Sequence, residues 1–246
     1  MPDDASFYHL LAEYYDVLFP VTEQQRHFFV SLVKEHGVSR VLDVACGSGG
    51  QAAMFRDLGV EVSALENDAR MVELVRAKGR NIEVRLGSME DVARLFDPGF
   101  DMAICIGNSL PHLPDLDAVR QTVRAMRALL RPAGVLVLSI VNFDRVRRER
   151  ITSLPVKKLR DPQGSAVTFE RFYDLSPLPQ RVTFSMRLTV DDKEHAAILP
   201  LTPISPEWLA GAVSDAGMTV LGRFADFQRV PFTGNAMSLV LVARAR

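Results

Sequence analysis

The sequence has little cysteine, no long apolar run and no excess of one charge. Only Cys46 and Cys105 occur in 246 residues. Both lie in apolar, strand-like segments, which favours free buried thiols in a reducing compartment over a disulfide or a metal site. No apolar run approaches the roughly 18 residues of a membrane span, and the N-terminal segment mixes charged with apolar side chains, unlike a signal peptide. We therefore expect a cytoplasmic protein.

The charges nearly balance. The chain has 29 Lys and Arg residues against 30 Asp and Glu, a formal net charge of -1, so no overall field would draw it to nucleic acid or to an anionic membrane. The five histidines show no metal-ligand spacing. We expect a small-molecule partner and no metal, nucleic acid or membrane, and the oligomeric state stays open.

Short β-branched segments alternate with segments of helical period in the middle of the chain. The predicted strands are 40–44, 60–65, 82–86, 100–106 and 135–142, with a turn at 131–134 before the last of them. The predicted helices between them are 50–58, 68–78, 88–95 and 115–130. This alternation predicts βαβ units, and hence a doubly wound α/β fold with a mostly parallel sheet.

The flanking segments complete the predicted architecture. Two amphipathic helices, 6–19 and 22–36, should cover the edge or mouth of the sheet. Alternation at 166–173 and 181–190 predicts a small antiparallel β lid. A helix from Ser205 to Gly217 should precede an antiparallel hairpin, 218–224 with 236–243, which brings the sheet to seven strands. We expect one domain with the following parts: cap helices in 1–37, a cofactor-binding core in 38–144, an antiparallel β insertion in 164–201, and a C-terminal helix and hairpin in 202–246.

The first predicted strand runs directly into a glycine-rich loop. Residues 45–50 read Ala-Cys-Gly-Ser-Gly-Gly. Glycine permits positive φ and lets a nucleotide-like ligand lie against the backbone near a helix N-terminus. A plain tight turn is the alternative. Gly47, Gly49 and Ala52 also match the dinucleotide pattern G-x-G-x-x-A.

Two carboxylates help to distinguish the possible ligands. Asp43, near the end of the first strand, would repel a pyrophosphate, but it could accept hydrogen bonds from the loop amides or help to hold an ammonium group. Glu66 closes the second strand, where an acceptor can take both hydroxyls of a ribose. S-adenosylmethionine has a ribose and an ammonium group but no phosphate, and is therefore favoured. A nicotinamide-dependent oxidoreductase and a catalytically silent cofactor-fold protein remain alternatives.

Three motifs resemble those of class I S-adenosylmethionine-dependent methyltransferases. Residues 43–49, Asp-Val-Ala-Cys-Gly-Ser-Gly, resemble the first motif, Glu-Asn-Asp at 66–68 the second, and Gly-Ser-Met-Glu-Asp at 87–91 the third. Residues 106–115, Ile-Gly-Asn-Ser-Leu-Pro-His-Leu-Pro-Asp, are similar to the fourth-strand motif of glycine and sarcosine N-methyltransferases. The resemblance implies methyl transfer to a small molecule, at an amine or a hydroxyl.

The resemblance also implies contacts with the cofactor. Ala45, Gly47 and Gly49 would contact the methionine end, and Glu66 and Asn67 would contact the ribose. Met71, Ser88 and Met89 would contact the adenine. Ile106 and Ser109 would line the methyl-transfer end. Tyr15, in the first predicted helix, would close the pocket against the sulfonium. Core packing is an equal alternative for Met71, Met89 and Tyr15.

Two residues of the fourth-strand motif are candidates for the chemistry. Asn108 can orient an amine or a hydroxyl, since its amide both donates and accepts, and a turn-stabilising Asn is the alternative. His112 is a candidate base or substrate contact, or else a structural histidine. Val141 stands where the resemblance places an Arg that grips the substrate carboxylate. Because Val has no donor, the resemblance does not extend to glycine as the substrate.

A basic stretch separates the fifth predicted strand from the lid. It consists of Arg145, Arg147, Arg148, Arg150, Lys157, Lys158 and Arg160. The stretch could meet a phosphate-bearing substrate. It lacks the interleaved aromatic residues that stack nucleic-acid bases and is more typical of a solvated linker.

Overall fold

The structure is a computed structural model that describes residues 4–161, 164–176 and 180–246, apart from the side chains of 4–6 and 8. Its helices are α1 (Asp4–Leu18), α2 (Glu23–His36), α3 (Gly50–Asp57), α4 (Ala69–Ala77), α5 (Val92–Leu95), α6 (Leu116–Leu129), α7 (Phe143–Arg148) and α8 (Pro206–Asp215). Its strands are β1 (Arg40–Val44), β2 (Glu61–Glu66), β3 (Glu83–Leu86), β4 (Phe100–Cys105), β5 (Leu130–Val141), β6 (Lys157–Arg160), β7 (Ala166–Asp174), β8 (Val182–Val190), β9 (Lys193–Leu201), β10 (Met218–Phe224) and β11 (Ser238–Ala245). None of the helices in these ranges is long and apolar enough to cross a bilayer.

The central sheet has seven strands in the order β10-β11-β5-β4-β1-β2-β3. Strands β1 to β5 are parallel, whereas β11 is antiparallel to both β5 and β10. This confirms the predicted fold class. The strand order reverses between β1 and β4, which creates the switch point where doubly wound sheets bind ligands beyond the carboxyl ends of their strands.

The core follows from strands that are covered on both faces. Every residue of β4 is buried, as expected for a central parallel strand. Along β5, Leu136 and Leu138 pack with α6 and α8 residues, whereas Val135 and Val137 pack on the opposite face with α2 and α3 residues. The carboxyl ends of β1 and β4 are therefore held rigidly between two apolar layers.

The first part of β5 differs from the prediction. The turn expected at 131–134 lies inside the strand, because the ladder jumps from the pair Phe100 and Leu130 to the pair Met102 and Val135. The extra residues form an irregularity in which Ala133 has a φ of 62°. The strand therefore begins at Leu130.

A separate antiparallel sheet in the order β6-β7-β8-β9 forms the predicted lid. Its first strand comes from the basic stretch, so the expected solvated linker is wrong for residues 157–160. The strand β6 pairs with β7 from Lys157 opposite Phe169 to Arg160 opposite Ala166. Lys157 and Leu159 are half-buried, while Lys158 and Arg160 are exposed.

Helix α7 was not among the predicted elements and also lies in the basic stretch. Its N-cap is Asn142, whose side-chain oxygen accepts from the backbone N–H of Arg145 at 3.2 Å. The guanidinium of Arg145 pairs with Glu149, and that of Arg148 donates to the carbonyl of Gly234. These two arginines are thus engaged by neighbouring acceptors.

The two N-terminal helices differ in what they cover. Helix α2 has the predicted N-cap, Thr22, in a capping box with Gln25, and it packs against the central sheet through Phe28 and Phe29. Helix α1 instead packs against the lid, where Leu11 and other α1 residues join Phe169, Leu188 and their neighbours in one apolar cluster. Of these two helices, α1 therefore packs on the lid and α2 on the main sheet.

Candidate active site

The loop after β1 bends through three positive φ angles, 59° at Ala45, 56° at Gly47 and 79° at Gly49. Helix α3 begins directly afterwards, and the N–H of Ala53 donates to the carbonyl of Gly49 at 2.9 Å. A Cβ on Gly49 would lie only 2.8 Å from Cγ2 of Val75. Position 49 therefore requires glycine for both its backbone angle and its space.

Tyr15 of α1 lies directly on this loop. A Cβ on Gly47 would stand 3.0 Å from two ring carbons and the hydroxyl of Tyr15. Burial, followed by the charges of Glu66 and other acidic neighbours, raises the pKa of Tyr15 to about 12. The hydroxyl is therefore a neutral donor at the position where the prediction places the cofactor.

Asp16 is a contact of the loop that no sequence motif indicates. Its carboxylate accepts from the hydroxyl of Ser48 and forms an ion pair with Lys78, both at 2.5 Å. Because these partners are 32 and 62 residues away, no local spacing reveals them. Asp16 attaches α1 to the glycine loop and to the segment after α4.

Glu66, at the end of β2, stabilises the loop by accepting hydrogen bonds from backbone N–H groups. Its Oε2 accepts from the N–H of Gly47 at 2.7 Å, and its Oε1 accepts from the N–H groups of Asn67 at 2.9 Å and Asp68 at 3.1 Å. Burial raises the pKa of Glu66, and these amides oppose that rise without cancelling it. Oε2 accepts only one of these hydrogen bonds and keeps lone-pair capacity for a further donor, such as a ribose hydroxyl.

Asp43 is a buried carboxylate with an unpartnered oxygen. It is 2% exposed, and within the described ranges its Oδ2 has no hydrogen-bond partner. Burial, and then the charge of Glu66, raises its pKa from 3.8 to about 7. The hydrogen bond from the loop that we expected for Asp43 is made by Glu66, and Asp43 instead accepts from the backbone of Ala52.

The charges of Asp43 and Glu66 indicate which kind of ligand fits this site. Among the described residues neither forms a salt bridge. Two buried acidic groups without a protein cation suit a ligand with positive charge and would repel a pyrophosphate. The residues therefore fit S-adenosylmethionine, with its sulfonium and ammonium charges, better than a dinucleotide.

The predicted adenine contacts lie around the ends of β2 and β3. Asn67 is exposed, and Met71 is buried in the first turn of α4, with its N–H donating to Asp68. Ser88 caps the 3₁₀ turn at Met89–Asp91 and accepts from the N–H of Glu90. Met89 packs partly buried on the core, which is the alternative role considered for it. Contact of these residues with adenine stays a prediction.

Asn108 joins the ends of β4 and β5. Its Oδ1 accepts from the N–H of Val141 at 2.8 Å, and its own N–H donates to the carbonyl of Ser139 at 3.2 Å. The residue has a φ of 69°, so it has the turn-stabilising role considered above. Within the described chain no acceptor is bonded to its half-buried Nδ2, which leaves this group able to donate to a substrate.

Two other predicted residues border Asn108 in the chain. Ile106 is buried, and Ser109 donates its hydroxyl to the carbonyl of Ile106 at 3.0 Å. Val141 packs in an apolar cluster that includes Phe143 and Tyr173. This cluster fills the place where the resemblance implies a carboxylate-binding Arg.

His112 lies at the end of the 3₁₀ turn Leu110–His112. Its side chain is exposed, yet the surrounding protein desolvates it enough to lower its pKa. Thr202 fastens this segment to the end of the lid, because its N–H donates to the carbonyl of Pro111 and its hydroxyl to the carbonyl of Leu113, both at 2.7 Å. Arg181 donates to the hydroxyl of Thr202 at 2.9 Å. Sequence patterns indicate neither of these two supports.

Known proteins resemble this chain in sequence and in fold. A family model described as "Methyltransferase domain" matches residues 41–134. Glycine N-methyltransferase from Oryctolagus cuniculus is 29% identical over 246 residues, which cover 89% of this chain and 78% of that protein.

Two solved structures show the same fold over almost the whole chain. An S-adenosylmethionine-dependent methyltransferase from Clostridium acetobutylicum has a TM-score of 0.80 at 14% identity, covering 97% of this chain and 99% of that one. An amino pentose methyltransferase from Micromonospora echinaspora has a TM-score of 0.73 at 23% identity, covering 94% and 96%. With the motifs, the glycine loop and the acidic pocket, these findings support a class I S-adenosylmethionine-dependent methyltransferase.

Proposed function

We propose that this enzyme transfers the methyl group of S-adenosylmethionine to an amine nitrogen of a small molecule. The observation that carries the proposal is the buried acidic pair, Asp43 and Glu66, beside the glycine-rich loop. A cationic cofactor would compensate both charges, and Asp43 has an oxygen free to receive it.

By the predicted contacts, different parts of the cofactor would lie at the ends of different strands. Asp43 would face the ammonium group, directly or through water, and the backbone at Ala45, Gly47 and Gly49 would accommodate the methionine end. Glu66 and Asn67 would hold the ribose. The remaining contacts would be Met71, Ser88 and Met89 at the adenine, Ile106 and Ser109 near the methyl group, and Tyr15 over the loop. When bound, the cofactor supplies the methyl group, and the thioether to which this methyl is attached is a good leaving group.

The protein mainly has to orient the acceptor and exclude water. Asn108 would orient the acceptor through its Nδ2, since its Oδ1 is engaged by Val141. His112 has a lowered pKa and is therefore neutral at pH 7, so it can accept the proton that an amine must lose before or after transfer. Tyr15 and α1 cover the pocket between the glycine loop and the lid.

An amine fits this site better than a hydroxyl. The side chains around the end of β4 are neutral, namely Asn108, Ser109 and uncharged His112, and a neutral amine already has the lone pair that attacks. A hydroxyl would depend more strongly on a base. The names of two similar proteins, glycine N-methyltransferase and an amino pentose methyltransferase, support an amine acceptor. The proposal includes a cytoplasmic location, in keeping with two free, buried cysteines.

A binding and transfer experiment tests this function. Equilibrium dialysis with S-adenosylhomocysteine and with NAD should show binding of the first and none of the second. Incubation with S-adenosylmethionine and paired amines and alcohols of equal carbon skeleton should then add one methyl group, read by mass, to amines only. Binding of NAD alone, or methylation of the alcohols alone, would contradict the proposal.

Asn108 is expected to matter more than His112. Changing Asn108 to Gly removes the amide but tolerates the positive φ, and we expect kcat to fall about 100-fold because the acceptor is no longer oriented. His112→Ala should lower kcat less than about tenfold, because the base is optional for an amine. Steady-state kinetics at saturating cofactor measures both, and equally large losses would identify His112 as a required base.

A further inference from the structure

Two half-buried cations face each other across the first two strands of the lid. Lys157 of β6 has its Nζ 4.3 Å from the centre of the Phe19 ring, and Arg171 of β7 has its Cζ 6.0 Å from the same ring. The Arg171 guanidinium also lies 5.5 Å from the centre of the Phe169 ring. Both positive charges therefore gather at one aromatic patch of the lid.

Neither cation is neutralised by the protein. Lys157 donates to the carbonyl of Leu18, and Arg171 donates to the carbonyl of Pro155 at 3.3 Å. Among the described residues no carboxylate pairs with either, and Nε of Arg171 is buried without a partner. Burial, and then the charge of Arg171, lowers the pKa of Lys157. Two like charges held in this way normally need an anion.

Another arginine of the lid shows the contrast. Arg187 of β8 is opposite Glu170 in the ladder and pairs with it at 3.7 Å and with Glu194 at 3.3 Å. Its exposed charge is therefore balanced on the outer face. Arg187 is thus balanced by two carboxylates, whereas Lys157 and Arg171 on the inner face have no carboxylate partner among the described residues.

The strand register places Arg171 on the side of the active site. Side chains alternate along a strand, so Phe169, Arg171 and Tyr173 share the inner face of β7. Phe169 packs with α1 residues, whereas Tyr173 packs with Phe143 and Val141 beyond β5. Arg171 therefore lies between the α1 contact and the β5 contact of the lid.

The aromatic patch continues to the cofactor loop. The ring of Phe19 lies 5.0 Å from the ring of Tyr15, and Tyr15 lies on Gly47. The side chains of Phe19 and Tyr15 thus lie between the cations and the glycine loop. An acceptor that reaches them would extend from the end of β4 along the lid.

We propose that Lys157 and Arg171 bind an anionic group, a carboxylate or a phosphate, of the methyl acceptor. This inference rests on the proposed function and names its substrate class. Val141 provides no cation beside the reacting nitrogen, and the cationic pair on the lid supplies one farther away. The acceptor is therefore an amine whose anionic group is separated from the nitrogen by more carbons than in glycine.

Binding of simple anions tests the pair directly. The protein loaded with S-adenosylhomocysteine is titrated calorimetrically with acetate and, separately, with inorganic phosphate. We expect at least one to bind, and the Lys157→Met and Arg171→Met double variant to bind it at least about tenfold more weakly. The matched control is the Lys158→Met and Arg187→Met double variant, which removes two charges from the outer face of the same sheet and should bind within about twofold of the original. Equal binding by both double variants would overturn the inference.

Two further readouts separate a binding role from a structural one. Removing two half-buried cations that have no carboxylate partner should leave the Tm unchanged or raise it, whereas a structural role predicts a lower Tm. Affinity for S-adenosylhomocysteine should not change. Failure of the unaltered protein to bind this nucleoside would overturn the proposed function, whereas normal nucleoside binding without anion binding would overturn only the present inference.

Turnover identifies which anion is used. The acceptors compared are 4-aminobutyrate, phosphoethanolamine and the neutral 4-aminobutyramide. We expect kcat/KM for one anionic amine to exceed that for the neutral amide at least about tenfold, through a lower KM, and this ratio to approach one in the inner-face double variant. Preference for the neutral amide by the unaltered enzyme would contradict the inference.

Discussion

Asp43→Asn is expected to stabilise the ligand-free protein at pH 8 and to weaken its binding of S-adenosylmethionine about 10- to 100-fold. The two effects are expected to have opposite signs, because the charge that opposes folding is the one that we propose to attract the cofactor. The carboxylate is buried beside Glu66, and one of its oxygens has no partner in the described chain. Asn keeps the shape and removes the charge.

The stability effect should depend on pH. The pKa of Asp43 rises from 3.8 in the unfolded chain to about 7 in the folded protein. Between these values the folded state holds a proton that the unfolded state has lost, so the free energy of unfolding falls as pH rises. Asp43→Asn does not undergo this fall in the free energy of unfolding. The difference between the two proteins is at most about 4 kcal/mol above pH 7 and vanishes near pH 4. Denaturant unfolding at both pH values measures it.

Asp101→Asn is the matched control. Asp101 is also a buried strand carboxylate, but its Oδ2 accepts from the N–H and hydroxyl of Ser39 and from the N–H of Arg40, and it forms an ion pair with Arg131. Burial alone would raise its pKa, yet these contacts lower it overall. The control should lose about 3 kcal/mol at pH 8, progressively less at acid pH, and keep its cofactor affinity. A loss of stability in Asp43→Asn at pH 8 would contradict our account of the pocket.

Gly49→Ala is expected to reduce affinity for S-adenosylhomocysteine at least about tenfold and to destabilise the fold by about 2 to 4 kcal/mol. Alanine at a φ of 79° is strained, and its Cβ would lie 2.8 Å from Cγ2 of buried Val75. Relief requires the loop to move away from α4. That movement would also disturb the hydrogen bond between Glu66 and Gly47.

Gly59→Ala separates strain from displacement. Gly59 has a φ of 78°, almost the same angle, but a Cβ there would meet nothing within 4 Å. We expect it to lose about 1 kcal/mol from backbone strain and to bind the nucleoside as before. Calorimetric titration and thermal unfolding of both variants provide the comparison. Equal affinities in the two variants would show that the space at Gly49 is not needed for binding.

The main sheet can be predicted from the sequence because its central strands are buried on both faces. Every residue of Phe100–Cys105 is buried, and all except Asp101 are apolar, a pattern that has few alternatives. Strand β6 carries no such pattern, since three of its four residues are basic. It forms because β7 offers a free edge and because the stem of Lys157 can pack on Phe19 while its charge stays near a carbonyl.

The candidate site is predictable in position but less so in contacts. Asp43 and Glu66 follow from their places at the ends of adjacent strands. Which of them accepts from the loop depends on reach, because the longer Glu66 side chain extends across to the N–H of Gly47. The ion pair between Asp16 and Lys78 depends on how α1 lies over the sheet, and no periodicity encodes that placement.

Helix α1 has two attachments, and together they link events at the two substrates. Its apolar side chains are part of the lid cluster, and its last turns hold the glycine loop through Tyr15 and Asp16. Any movement of the lid that admits or releases an acceptor is therefore expected to move α1, and with it Tyr15 over the glycine loop. Entry and exit of the two substrates are consequently expected to be ordered, with the nucleoside first to arrive and last to leave.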